Sequence, residues 1–338
     1  MTIQRFTFQR LPNDICSKVL KTMEHHEIIA YSLTSKKALS LVHSLGLSLD
    51  KAQINTGRPE INLDIGHNSV AFNWNMGDNE EEMTNLDDIP TSVDVSIREH
   101  GYLEEFRPVI EFTEYTWSNQ GKSIGEWIKH ICSTFRCEYY EAEFRIWRRR
   151  FDIQSLRNYF PKLRRALVYT FEEESSEQDI QSAQNVLKAF LPYMKDIVLH
   201  CVPLQDNLSI QHIGMTNLKE FRISNHRDLK LDDLLALNAE RCTIVESQLS
   251  LRDLNRFIKL WTKGSYPKLK NFAVHGRNSA DWNVLMKGLQ PEEERRIQVD
   301  GAEKRKEYII QNDYGIRARI KMFDDMPAHV SFELTVLI

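Results

Sequence analysis

LSLRDLNRFIKLWTKGSYPKLKNFAVHG (249–276) contains one helical stretch, SLRDLNRFIKLWTKG, and then one aliphatic-rich strand. In the strand, Leu269, Phe272 and Val274 follow an apolar-x-x-apolar-x-apolar spacing. The same spacing occurs at Leu163, Ala166 and Val168, at Met194, Ile197 and Leu199, at Leu218, Phe221 and Ile223, and at Ala239, Cys242 and Ile244. Successive copies are 31, 24, 21 and 30 residues apart. A partial copy precedes them at Phe144 and Ile146, and another is expected at Ile297 and Val299. Helical stretches DIQSLRNYF (152–160), DIQSAQNVLKAFL (179–191) and LKLDDLLALN (229–238) lie between the strands.

Steps of about 20–30 residues with such a strand indicate a leucine-rich-repeat-like arrangement. A unit of that size cannot bury its apolar side alone, so units stack into a curved parallel sheet with helices outside. The uneven steps predict a degenerate array. An ordinary α/β domain with a parallel sheet is the competing reading, and both put strands on one side and helices on the other.

Downstream, IRARIKM (316–322) and HVSFELTVLI (329–338) alternate strictly between apolar and polar positions, with turn signals at NDYG (312–315) and MPA (326–328). They predict a terminal antiparallel sheet that closes the end of the stack. Upstream, INLDI (61–65), VAFNW (70–74) and VDVSI (93–97) predict a small antiparallel sheet interrupted by the acidic loop DNEEEMTNLDD (78–88). Ile124, Trp127, Ile128 and Ile131 return to helical spacing. Residues 46–60 carry Gly, Asn and Pro breaks and are expected to be a connector.

Residues 8–42, FQRLPNDICSKVLKTMEHHEIIAYSLTSKKALSLV, predict three short helices. Leu11, Ile15, Val19 and Met23 recur every four residues, and Leu20 widens the stripe. Pro12 suits a first helical turn, and Asn13 or Asp14 suits a cap or first-turn acidic position. Ile28, Ile29 and Leu33 group in a second segment. Ser35 caps a third helix that starts at Lys36, with Ala38, Leu39, Leu41, Val42 and Leu45 as its apolar positions. Three helices in so few residues make a small core that gains by packing on a partner.

Composition excludes several classes. The 338 residues are 41% hydrophobic and 27% charged, with net charge -4, so nothing calls for nucleic acid or an anionic membrane. The N-terminus has no apolar signal core, and no run approaches a bilayer span. The expected setting is cytoplasmic and/or nuclear. Five cysteines, odd in number and without CxxC, predict reduced, buried thiols rather than disulfides or zinc. Phosphate-binding glycine motifs, HExxH and GxSxG are missing, so no catalytic residue, metal ligand or cofactor is assigned and an enzyme is not expected. His25 and His26 are adjacent and read as a solvated surface pair, not a metal site. RIWRRRF (145–151) reads as a solvated basic face, which EEESSE (172–177) is placed to partner. Trp117, Trp127, Trp147, Trp261 and Trp282 read as core.

The order Leu-Pro, acidic-aliphatic, Ile-Ile, Ser, Ser-Lys in 8–42 resembles the F-box, a helical module that docks on the Skp adaptor of cullin-type ubiquitin ligases. The family's occasional Trp after the third helix is missing. TWSNQGKSIGEWIKHICSTF (116–135), 249–276 and YIIQNDYGIRARI (308–320) resemble the type 2 F-box-associated domain of the large nematode F-box families. Leu254, Asn255, Phe257, Lys259, Trp261, Gly264 and Ser265 match that family's helix and turn, while its Asp-Gly turn is one residue longer here, at Asp313–Gly315.

The resemblance implies an α/β fold (α+β overall) in three parts: an F-box at 1–45, the connector at 46–60, and a leucine-rich-repeat-like associated domain at 61–338. It implies Leu11, Pro12, Ile15, Val19, Leu20 and Ile28 as adaptor contacts, with Ser35 and Lys36 at the polar step before the third helix. It implies a non-catalytic substrate receptor that binds a Skp-type adaptor and, through it, cullin and RING subunits, and that presents a protein target for ubiquitination. The substrate-binding residues stay unassigned. A non-degradative module that sequesters its partner, such as a toxic protein, is the other reading.

Overall fold

The computed structural model describes residues 11–65, 68–77, 85–102, 108–135, 137, 139–148, 152–160, 163–170, 176–202, 204, 208–225, 229–276, 281–299, 303–326 and 329–337. Residues 8–10 of the N-terminal pattern, most of the acidic loop, 149–151 of the basic run, 172–175, Pro327 and Ala328 of the last turn, and Ile338 lie outside them. The chain divides into two compact units, 1–163 and 164–338.

The first unit begins with α1 (Asn13–Leu20), α2 (His25–Ser32) and α3 (Lys36–Ser44). Strands β1 (Lys51–Asn55), β2 (Glu60–Ile65), β3 (Asn68–Asn75), β4 (Ser92–Tyr102) and β5 (Pro108–Ser118) follow, then α4 (Ile124–Thr134), β6 (Tyr140–Arg145), a single 3-10 turn and α5 (Ile153–Tyr159). Strands β1 to β5 form an antiparallel meander, and β6 joins the other side of β1 in parallel.

The alternation expected for 61–97 is present. Ile61 and Leu63, Val70, Phe72 and Trp74, and Val93 and Val95 are all buried, and of the residues between them in each strand only Ala71 is buried as well. α4 covers that face: Trp127 meets Trp117, which packs edge-on to Phe72. Ser123 caps α4 by accepting from the N–H of Glu126, whose carboxylate accepts the N–H of Ser123 in return. Gly125 is required in that first turn, because a Cβ there would stand 2.1 Å from the Tyr159 ring.

One expectation fails here. Residues 46–60 are not a bare connector, since β1 occupies 51–55 with Ala52 and Ile54 fully buried. Two apolar residues between polar ones carry too weak an alternation to stand out among Asn, Gly and Pro. Pairing with β2 on one side and β6 on the other makes the strand.

The second unit opens at β7 (Leu163–Tyr169). It continues through α6 (Glu177–Phe190), β8 (Asp196–His200), α7 (Ile210–Gly214), β9 (Glu220–Ser224), α8 (Leu231–Leu234), β10 (Arg241–Ser247), α9 (Leu251–Thr262) and β11 (Asn271–Gly276). It closes with α10 (Trp282–Leu285), β12 (Glu293–Val299), β13 (Glu303–Gln311), β14 (Arg317–Met326) and β15 (His329–Leu337).

Strands β7 to β11 are parallel neighbours in chain order. Their apolar positions stack in register. One row runs Ala166, Ile197, Phe221, Cys242 and Phe272, and the next runs Val168, Leu199, Ile223, Ile244 and Val274. All ten side chains are buried. Phe257 of α9 lies on this core, stacked 4.0 Å from Phe272 and 4.5 Å from Tyr266. β15 pairs antiparallel with β11 and extends both rows with Leu334 and Phe332. β14, β13 and β12 then follow, each antiparallel to the last.

Two details depart from the sequence pattern. Ile297 and Val299 belong to β12, which is antiparallel to β13 and does not add a further parallel unit. The stretch 229–238 holds only the single turn α8. It lies in the shortest step of the array, and the N–H of Asn238 leaves helical pairing to donate to the carbonyl of Gly214 at 2.7 Å.

Phe257 is fully buried between two rings, whereas Leu235 is 50% exposed. Chemical denaturation will show Phe257→Ala destabilised by about 3–5 kcal/mol. Leu235→Ala will stay within about 0.5 kcal/mol of the parent.

Candidate functional site

The N-terminal helices are built from local signals. Pro12 precedes α1 with extended backbone, and Asp14 sits in the first turn, where the helix dipole favours an acid. α2 starts at Glu24, whose N–H donates to the Glu27 carboxylate at 2.9 Å. α3 starts at Ser35, whose hydroxyl accepts the N–H of Ala38 at 3.1 Å. Cys16, Leu20, Ile28, Leu41 and Val42 form the buried centre, and Leu11, Met23, Tyr31, Leu45 and Leu47 pack around it.

α1 therefore has two apolar faces. Cys16 and Leu20, one turn apart, turn inward. Ile15 and Val19, one residue earlier in each turn, are 37% and 40% exposed. A one-residue offset is about 100° around a helix, so the second pair cannot share the first pair's core. Pro12 is exposed three residues before Ile15, and Leu11 is half-buried against the core. The structure thus leaves Pro12, Ile15 and Val19 exposed on α1 and its lead-in, with Leu11 packed against the core just before them.

It separates the other candidates. Leu20 is fully buried and Ile28 is 2% exposed. A side chain with no accessible surface cannot touch an adaptor, so these two hold the surface from beneath. Ser35 is engaged as the α3 cap, and Lys36 is exposed as the first residue of that helix. The regular stripe at Leu11, Ile15, Val19 and Met23 misled in one respect. Steps of four advance about 40° beyond a full turn, so the stripe drifts around the helix, and α1 ends before Met23.

α4 packs against α2 and α3. Ser32, 2% exposed, donates its hydroxyl proton to the carbonyl of Ile29 at 2.7 Å. His130 of α4 lies 2.7 Å from the same oxygen through Nε2; with the hydroxyl proton on Ile29, the ring is placed as the donor to that oxygen. His26 stacks on Tyr115 of β5 at 5.2 Å, and His25 packs 6.1 Å from Phe135. The histidine pair is therefore half-buried ring packing and not a solvated pair. Among the described residues no three His, Cys, Asp or Glu side chains converge as metal ligands.

In the second unit, a groove of about 680 Å³ lies among Glu240, Leu269, Ile316 and Leu337. Its charges are satisfied locally: Lys270 binds Glu240 at 2.8 Å, and Arg317 binds Glu292 and Glu293 at 2.9 and 3.0 Å. Of the six tryptophans, Trp74, Trp127 and Trp261 are core, while Trp117, Trp147 and Trp282 are half-buried.

The pKa of His130 is pushed down to about 4 from 6.5, first by burial and then by Lys122 and His43. The unfolded chain binds a proton there before the folded chain does. Stability from the neutral ring is complete above pH 6.5 and is lost as the pH falls towards about 4. Melting temperatures taken across that window will fall less steeply for His130→Gln, which retains a donor for Ser32 but does not titrate.

The F-box domain family matches residues 8–49, across α1 to α3. The family described as F-box associated matches residues 209–274, from α7 to β11. No curated protein and no solved structure matches the chain. The exposed outer face of α1 lies on the F-box domain, and the parallel strand–helix succession contains the associated one. The chain therefore carries one region similar to an F-box domain and a second similar to an F-box-associated domain.

Proposed function

We propose that this chain is the substrate-recognition subunit of a Skp–cullin–F-box ubiquitin ligase, without catalytic residues of its own. The observation that carries the reading is the outer face of α1. Within the F-box match, Ile15 and Val19 expose apolar side chains one turn apart on a helix whose other face supplies the core. Apolar anchors at that spacing suit a helix laid in a hydrophobic groove. Leu11 and Pro12 extend the contact at the start of α1, and Lys36 adds a charge at the start of α3.

On this reading the F-box spans residues 1–45, and the associated domain, residues 61–338, is a degenerate leucine-rich-repeat-like array that holds a protein target. The ligase's RING subunit and its ubiquitin-charged conjugating enzyme supply the chemistry. The receptor contributes proximity, converting an encounter between target lysine and thioester into a step within one assembly. Such a receptor works in the cytoplasm and/or nucleus, and no helix among the described residues is long and apolar enough to cross a membrane.

Calorimetric titration of a purified Skp-type adaptor into the full chain tests the docking. An anchor residue lost at an interface commonly costs about 2 kcal/mol, so Ile15→Ala with Val19→Ala will weaken binding by at least about 30-fold and leave stability nearly unchanged. Leu20→Ala will instead destabilise the fold by about 2–5 kcal/mol. Full-strength binding by the folded double variant defeats the proposal. Accumulation of captured partners when the proteasome is blocked separates degradation from sequestration.

A further inference from the structure

The end of α4 places two cysteines against each other. Phe135 is the C-cap of that helix, so Cys132 stands three positions inside it and Cys137 two positions beyond. The N–H of Cys137 donates to the carbonyl of Cys132 at 2.9 Å. A bond between these positions is the outer bond of a Schellman cap, whose two end side chains commonly meet. With that bond in place, standard backbone lengths limit the Cα–Cα separation to about 6.8 Å, within the range a disulfide spans.

The two thiols are near enough to perturb each other's ionisation, and Cys137 Sγ donates to the carbonyl of Tyr139 at 3.0 Å. Their environments differ. Cys132 is 2% exposed and Cys137 is half-buried. The neighbouring Cys132 side chain and the Tyr139 carbonyl shift the pKa of Cys137 down against the effect of burial, while Cys137 and burial raise that of Cys132. Cys16, Cys201 and Cys242 lie on other elements: α1, the end of β8, and β10.

We propose that Cys132 and Cys137 form a reversible dithiol–disulfide site, oxidised by a hydroperoxide. The Cys137 thiolate attacks the peroxide, the O–O bond breaks, and the sulfur loses two electrons to become a sulfenic acid. The departing oxygen takes a proton as water or an alcohol. Cys132 Sγ then attacks the sulfenic sulfur, the S–S bond forms, and the hydroxyl leaves as water with the Cys132 proton. A dithiol reductant reverses the reaction. The staple closes the end of α4 that carries His130 and Phe135, the groups on which α2 rests.

The test uses the reduced full chain, hydrogen peroxide as the probe, alkylation of remaining thiols, and intact-mass and peptide mapping. The expected result is a loss of about 2 Da before alkylation. Free thiols will fall from five to three, with a cross-linked peptide joining 132 to 137 that dithiothreitol releases. Cys132→Ser will leave a sulfenic acid at 137 that dimedone captures, and Cys201→Ser will leave the cross-link unchanged. Five free thiols after treatment, a linkage dominated by another cysteine, or sulfinic acid at Cys137 in place of the cross-link each overturns the proposal. The mapping of the unsubstituted chain is decisive whether or not the serine variants fold.

Discussion

The three N-terminal helices enclose too little apolar surface to stand alone, and the first unit is organised around that constraint. Their buried centre is five side chains, Cys16, Leu20, Ile28, Leu41 and Val42. A core of that size leaves the helices marginal unless they rest on something else. α2 gains support from α4 and β5 through Ser32 and His130, His25 and Phe135, and His26 and Tyr115. Among the described residues the outer face of α1 has no such cover: Ile15 and Val19 are 37% and 40% exposed. The same small bundle is therefore held on one side and left open on another, which suits a module that is both part of its chain and a handle for a different protein.

The second unit solves its packing differently. Each strand of β7 to β11 places two apolar residues in the same pair of rows, and β15 continues both rows with the opposite strand direction. A parallel edge would otherwise expose backbone donors and acceptors along β11. Gly264 marks the turn after α9, with φ of +88° and no room for a Cβ, which would stand 2.1 Å from the Tyr314 ring. That contact ties the helix end to the turn at 312–315.

Much of this was legible before the structure. The spacing of Leu269, Phe272 and Val274 and its four copies revealed the parallel rows, because residues two apart on a strand must share a face. The alternation in 316–322 and 329–337 revealed the closing hairpin for the same reason. Other features were hidden for physical reasons. β1 shows only Ala52 and Ile54, and its strand character comes from pairing with β2 on one side and, on the other, with β6 more than eighty residues away, as at Ala142. The bond between Ser32 and His130 joins residues 98 apart and leaves no local pattern. On α1 the apolar stripe was visible, but its division was not, because Cys16 carries no periodic signal that separates it from Ile15. Leu20 and Ile28, which the resemblance implied as adaptor contacts, lie buried beneath the exposed pair.

The central claim is that the outer face of α1 is a docking surface, and amide hydrogen exchange reads it residue by residue. The full chain is compared alone and with a saturating Skp-type adaptor. The account predicts slowed exchange concentrated in 13–20 and at the start of α3. It predicts little change in β7 to β11. Unchanged exchange in 13–20 in the presence of bound adaptor would contradict it.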